Sequence, residues 1–179
     1  LTKKGLVLVY TGDGKGKTTA SLGVTIRAIG RGMKVKYLQF IKSPDRTYGE
    51  QLALRKLGVE TEQLGIGFTW TKTPEEHRTA LKKAWFKAKQ ALQDENTDVL
   101  VLDELNNALA ITKFPIDDVL PLAEVLEAIQ NRPQHMHVVI TGRSANPAMI
   151  ALADLVSTIE PTKHYYADQD RTAVKGLEF

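Results

Sequence analysis

The 179-residue chain contains no cysteine. Disulfides, thiolate zinc sites and a thiol nucleophile are thereby excluded, and the composition suits a reducing compartment. Neither sign of charge dominates: 24 Lys and Arg stand against 21 Asp and Glu, a net charge of +3. The pI near 9.0 therefore comes without the clustered excess of cations that marks nucleic-acid binding. No apolar run approaches the ~20 residues that span a bilayer, and the first residues lack the features of a secretory signal. Internal repeats, low-complexity tracts and linkers are missing as well. Apolar residues make up 42% and charged residues 25%, so the expectation is one cytoplasmic domain with a real core, partnered by neither nucleic acid nor membrane.

What is present is an alternation of short β-rich runs with longer helical patterns. Leu6 to Tyr10 is a continuous apolar run, the signature of a strand buried on both faces. Thr18 to Ile29 predicts a helix closed by Gly30 and Gly32. Val35 to Phe40 predicts a strand, Gly49 to Leu57 a short helix ended by Gly58, and Val59 to Leu64 another strand. Thr73-Pro74-Glu75-Glu76 is a helix start, with Thr73 as cap, Pro74 in the first turn and Glu76 completing a capping box. Leu81, Ala84, Trp85, Ala88 and Leu92 then share one face. Lys82, Lys83, Lys87 and Lys89 fall largely elsewhere and suit a solvated face. Val99 to Leu102 predicts a strand ending in Asp103-Glu104, Asp117 to Gln130 a helix, and Val138 to Thr141 a strand. Asn146-Pro147 opens another helix, and Leu155 to Ile159 and His164 to Tyr166 predict late strands. This order implies an α/β fold of three layers around a mostly parallel sheet.

Between the first strand and first helix lies Thr11-Gly12-Asp13-Gly14-Lys15-Gly16-Lys17-Thr18, where a phosphate-binding loop belongs. Glycines let backbone N–H groups turn inward, and the helix N-terminus favours an anion. Lys17 can reach phosphate oxygens and the Thr18 hydroxyl can ligate Mg²⁺. The strict pattern has Gly where this chain has Thr11. Asp103-Glu104, at the carboxyl end of a hydrophobic strand, is the natural acidic partner, since those ends line the ligand crevice of a parallel sheet. A carboxylate there can hold Mg²⁺ directly or through water; acids at a helix start have the same appearance. These pieces argue for a Mg–nucleotide site without saying which bond of the nucleotide breaks.

The chain resembles the P-loop type of ATP:corrinoid (cob(I)alamin) adenosyltransferase along nearly its whole length. The resemblance rests on Tyr10 to Thr19, Gln39-Phe40-Ile41-Lys42, Gly67-Phe68-Thr69-Trp70, Leu102-Asp103-Glu104-Leu105 and Thr141-Gly142-Arg143. Pro161-Thr162-Lys163-His164 and Gly176-Leu177-Glu178-Phe179 also fit. Thr11 is a feature of that family, whereas Asp13 stands where the family often has Asn, which places an extra carboxylate near the phosphates. The resemblance implies a RecA-like P-loop fold and transfer of the adenosyl group from ATP to the Co(I) of a reduced corrinoid, releasing triphosphate. Cobalt is then the nucleophile, so the protein's task is alignment and stabilisation of the leaving charge. By the same resemblance, Gly12, Asp13, Gly14, Lys15, Gly16, Lys17, Thr18 and Thr19 surround the triphosphate, with ATP reversed relative to ordinary P-loop enzymes. Thr18 and Glu104 hold Mg²⁺ (or Mn²⁺) with Asp103 in support, and Arg27 lies near the nucleoside. Phe68 and Trp70, which by composition alone could equally plug the core edge, take the corrin side and displace the lower axial ligand of Co(II). Arg143 faces the same crevice, for phosphate or a corrin side chain, against the plainer alternative of a surface salt bridge. A flavoprotein reductase and a homodimer are the implied partners, and an N-terminal lid common in the family is expected to be missing from this chain.

The histidines carry less. His135 and His137 lack a nearby acid that would complete a metal site, His77 suits an exposed polar role early in its helix, and His164 is assigned no chemistry. Two other readings of the loop stay open at this point, a P-loop ATPase or small-molecule kinase, and a RecA-like nucleic-acid-binding module, which requires salt-sensitive binding.

Overall fold

The computed structural model describes residues 4–67 and 72–179. In chain order the elements are β1 (Val7–Thr11), α1 (Lys17–Ile29), β2 (Val35–Gln39), α2 (Gly49–Lys56), β3 (Glu60–Gln63), α3 (Pro74–Ala91), β4 (Val99–Asp103), α4 (Leu105–Leu109), α5 (Leu122–Gln130), β5 (His137–Thr141), α6 (Pro147–Leu152), β6 (Leu155–Thr158) and α7 (Tyr165–Gln169). The strands form one six-stranded sheet ordered β3-β2-β4-β5-β1-β6, and every pairing in it is parallel.

Strand β4 explains the layering, because all of its residues are buried and successive side chains point to opposite faces. Leu100 and Leu102 join a core with Val7, Val9, Val138 and Ile140, packed against Leu81, Trp85 and Ala88 of α3, Val125 and Ile129 of α5, and Met149 of α6. Val99 and Val101 join the opposite core, with Tyr37, Val139, Ala28 of α1 and Leu54 of α2. Helices on both faces bury what a parallel sheet cannot leave wet. Helix α3 starts as expected: the Thr73 hydroxyl accepts from the Glu76 N–H while the Glu76 carboxylate accepts from the Thr73 N–H. Its outer face carries ion pairs from Lys87 to Glu62 and from Lys89 to Glu124.

Three expectations need correction. The segment His164 to Tyr166 is not a strand; the His164 imidazole accepts from the Tyr166 N–H at 3.1 Å and caps α7. Two adjacent tyrosines raise β propensity, but the local cap outweighs it. The helix expected from Asp117 starts instead at Leu122, after Pro121. The residue before a proline is disfavoured in the α region, so the helix cannot run through Leu120. His77 is not exposed: it lies on the inner side of α3, 8% accessible, and stacks on Phe114 at 5.7 Å. The other boundaries differ by a residue or so, as helix and strand ends generally do.

Sequence patterning also passed over Arg132, which is buried and ties three segments together. Its guanidinium donates to the carbonyls of Met136, Ile129 and Gly5 at 2.8, 2.6 and 2.7 Å. Arg132→Met leaves these carbonyls short of donors, and chemical denaturation should register a loss of about 2–3 kcal/mol. Lys82→Ala, on the solvated face of α3, should stay within about 0.5 kcal/mol of the parent.

Candidate nucleotide site

The loop between β1 and α1 is shaped by where glycine is unavoidable. Gly12 has φ 98° and Gly16 φ 123°, conformations that L side chains rarely adopt. At Gly12 a Cβ would also stand 2.4 Å from the Ile159 carbonyl oxygen, and at Gly14 it would stand 2.7 Å from the Glu160 backbone. Those glycines let the outer half of the loop press on the end of β6. Thr11, in contrast, is the last residue of an extended strand, so this position needs no glycine; its hydroxyl accepts from the Ala145 N–H at 3.3 Å.

The inner half of the loop opens on a cleft of about 770 Å³. Lys15, Gly16, Lys17, Thr18, Thr19, Glu104 and Arg143 all line it, so one cleft gathers most of the residues singled out from the sequence. Asp103 sits behind it, fully buried. Gly12, Asp13 and Gly14 form the loop's outer part, with Asp13 exposed. Arg27 is exposed in the last turn of α1, about 15 Å along the helix axis from Lys17, outside the cleft lining. Phe68 and Trp70 lie outside the described residues. Just before them, Gly65, Ile66 and Gly67 line a separate apolar pocket of about 220 Å³ with Phe40, Ile41 and Leu81. The end of β2 thus divides two hollows, with Phe40 and Ile41 on one side and Lys42 on the other.

Charge in the cleft is balanced locally. Lys17 Nζ donates to the Gly14 carbonyl at 2.6 Å, and burial, followed by Arg143, pulls its pKa below the usual lysine value. Lys15 pairs with Glu178 at 3.4 Å. Lys42 pairs with Glu50 at 2.6 Å and stands 3.8 Å from Asp103. Burial opposes the charge on Lys42, yet the Asp103 and Glu50 carboxylates hold its pKa above the usual value. Glu104 occupies a left-handed conformation at φ 61°, a strain of about 1–3 kcal/mol for a non-glycine residue. Burial first, and the Asp103 charge second, push its carboxyl up to about 7.

Sequence reasoning attached no role to Lys42, Glu50, Asn107 or the stretch Gly176 to Phe179, all of which line the cleft. Two of these belong to motifs quoted for the resemblance, Gln39 to Lys42 and Gly176 to Phe179, which is the signal that pointed to them. Glu50 and Asn107 left no such trace: each reads as an ordinary polar residue of a helix.

The donor set suits a small hard cation. The Thr18 hydroxyl gives its proton to Asp103 Oδ1 at 2.9 Å, which leaves its lone pairs available, and Glu104 adds a carboxylate at the cleft wall. No cluster of three or more His, Cys, Asp or Glu able to hold a metal occurs among the described residues. Phosphate oxygens and water would therefore complete the shell, as Mg²⁺ prefers. A parallel α/β sheet with a glycine loop, a lysine and a hydroxyl at the first helix, and acids at the carboxyl end of β4 defines a P-loop nucleotide-binding protein of RecA-like fold.

The comparisons narrow that class. The sequence model for "ATP:corrinoid adenosyltransferase BtuR/CobO/CobP" matches residues 3–179. The chain is 41% identical to the corrinoid adenosyltransferase of Escherichia coli K12, across 99% of this chain and 87% of that protein. It is 40% identical to corrinoid adenosyltransferase CobA of Salmonella typhimurium LT2, with the same 99% and 87% coverage. Among solved structures, flagellar accessory protein FlaH of Methanocaldococcus jannaschii shares the fold at TM-score 0.52 and 10% identity, covering 87% of this chain and 71% of that one. The chain belongs to the ATP:corrinoid adenosyltransferase family.

A divalent cation engaging Glu104 has to displace the proton that the carboxyl keeps below about pH 7. Affinity for a Mg²⁺–nucleotide should therefore rise with pH, by up to about tenfold per unit, and flatten above neutrality. Calorimetric titrations across that range check this, and Glu104→Gln should reduce the pH dependence to the part carried by the nucleotide's own terminal phosphate.

Proposed function

We propose that this protein transfers the 5′-deoxyadenosyl group of ATP to the Co(I) centre of a reduced corrinoid and releases inorganic triphosphate, in the biosynthesis or salvage of cobalamin. The observation that carries the reading is that Lys17, Thr18, Glu104 and Arg143 meet in one cleft, in a chain matched by the family over residues 3–179. The cobalt electron pair forms the new bond to C5′, and the C5′–O bond breaks with its electrons leaving on the triphosphate. No side-chain nucleophile is required, in keeping with a chain that has no cysteine. What the protein must supply is alignment and a positive environment for the leaving group.

In this reading the loop from Gly12 to Thr19 embraces the triphosphate, Lys17 neutralises part of its charge, and Arg143 approaches from the end of β5. Thr18 and Glu104 would hold Mg²⁺ or Mn²⁺, which when bound lowers the cost of charge on the departing oxygens. Asp103 supports Thr18 rather than taking the metal itself. Phe68 and Trp70 serve the corrin side, and their place in the chain directly after the apolar pocket at Gly65 to Gly67 supports that assignment. Arg27, outside the cleft lining, has no geometric support for contact with the nucleoside. A flavoprotein reductase that supplies Co(I), a homodimeric assembly and a cytoplasmic setting complete the reading. No helix among the described residues is long and apolar enough to cross a membrane.

The deciding assay mixes protein, Mg²⁺–ATP and a Co(I) corrinoid without oxygen, and follows the visible spectrum together with the phosphate products. An organocobalt spectrum with triphosphate is expected; ADP without a cobalt–carbon product would overturn the reading in favour of an ATPase or kinase. Lys17→Ala should reduce ATP use by about a hundredfold or more while corrinoid binding is retained. The double variant Phe68→Ala, Trp70→Ala should lose more turnover from Co(II) with a reductant than from pre-formed Co(I). Equal losses in the two assays would remove ligand displacement from the account.

A further inference from the structure

A row of polar side chains crosses the sheet where it meets the cleft. Gln63 of β3 pairs in register with Gln39 of β2, and Gln39 with Asp103 of β4; Thr141 closes β5 beside them. One position earlier in β2, β4 and β5, Leu38, Leu102 and Ile140 are buried and apolar, so in these three strands the polarity begins abruptly at the carboxyl edge. Gln39, Asp103 and Thr141 are each 0% exposed. Burying such groups is unfavourable unless each finds partners, and here they do.

The partners converge on Asp103. Its Oδ1 accepts from the hydroxyls of Thr18 at 2.9 Å and Thr141 at 2.7 Å. Its Oδ2 accepts from Gln39 Nε2 at 3.0 Å, with Lys42 Nζ 3.8 Å away. Gln39 cannot turn its amide over, because its Oε1 accepts from Gln63 Nε2 at 2.8 Å and the reversed amide would set an oxygen against the carboxylate. The Thr141 hydroxyl does two things at once: it donates to Asp103 and accepts the Glu104 N–H at 2.9 Å. It thereby links the loop hydroxyl at Thr18 to the strained backbone that carries Glu104.

We propose that Thr141 and Gln39 are positioning residues for the metal-bound triphosphate, acting through Asp103 on Thr18 and, for Thr141, directly on the Glu104 backbone. The inference rests on the Mg²⁺–ATP reading above. Gln39 fixes one carboxylate oxygen of Asp103 from the β2 side. The other oxygen then holds the Thr18 hydroxyl with its proton turned inward and its lone pairs left for the cation. Thr141 shares that oxygen and anchors Glu104, so both metal-binding groups are set by one hydroxyl. Outer-shell partners of this kind typically account for about ten- to a hundredfold in metal affinity.

The test is calorimetric titration of ATP with Mg²⁺ and of ATP with chelator, into the parent, Thr141→Val, Thr141→Ser and Gln39→Leu, with thermal unfolding of each. Thr141→Val keeps the shape and removes both hydrogen bonds, whereas Thr141→Ser keeps them. The parent should bind Mg²⁺–ATP more tightly than metal-free ATP. Thr141→Val and Gln39→Leu should lose about ten- to a hundredfold of that advantage, with metal-free binding unchanged and Thr141→Ser close to the parent. If the parent gains from Mg²⁺ and the folded variants gain as much, the positioning role is overturned while the metal site stands. Equal losses with and without metal also overturn it, because they indicate a general defect in the cleft. If the parent itself gains nothing from Mg²⁺, the metal reading fails and takes the inference with it. Should Thr141→Val not fold, Gln39→Leu decides the question independently from the opposite side of Asp103.

Discussion

One buried carboxylate organises the catalytic edge of this protein. Asp103 is removed from water at the end of the central strand β4, where an unpaired charge would be intolerable. Its stability there depends on donors from β2, β5 and the first turn of α1. Satisfying one charge therefore requires three separate elements to arrive in register. The loop, the β2 end and the β5 end form a single unit for that reason, and the cleft inherits its shape from the solution.

Strand order makes this possible. β5 lies between β1, which feeds the glycine loop, and β4, which carries the acids. The inserted strand brings Thr141 between the two halves of the site, where it can reach Asp103 and the Glu104 backbone together. Direct adjacency of β1 and β4 would leave no place for that bridge. Tyr37 adds a second tie on the same face, two residues before Gln39 on β2: its hydroxyl shares a 2.6 Å hydrogen bond with Ser21 of α1, and Ser21 in turn donates to the Thr18 carbonyl. The first turn of α1 is thus held from β2 as well as from β4.

Much of the architecture was legible in the sequence, and the reasons for success and failure are physical. The apolar run of β4, the glycine loop and the capping box at Thr73 each depend on nearest neighbours along the chain, so residue spacing reveals them. The start of α5 was misplaced because apolar periodicity continues through Val119 although Pro121 forbids the helix there. His77 was misjudged because a polar residue in a first turn is ordinarily wet, whereas here Phe114 from a distant segment covers it. The row from Gln63 to Thr141 was invisible for a related reason. Each member looks like the polar end of a strand, and only strand order, which no local pattern encodes, turns them into neighbours. Of the cleft residues, those on the loop, at β4 and at Arg143 were readable from motif spacing. Lys42 and Glu178 stood inside motifs but without a role, and Glu50 carried no signal at all, because these residues come from separate stretches of chain and meet only in three dimensions.

The stretch from Gly176 to Phe179 forms part of the cleft wall, while Gly5 is packed against Met136 at the opposite edge of the sheet. A five-residue strand separates the two edges, about 17 Å of extended chain. The two regions are therefore not equivalent as places for a probe. A fluorophore attached at Leu177, which is exposed, sits in the wall of the working cleft and senses what enters it. One attached at Lys4, also exposed, stands a full strand length away and serves as a silent reference.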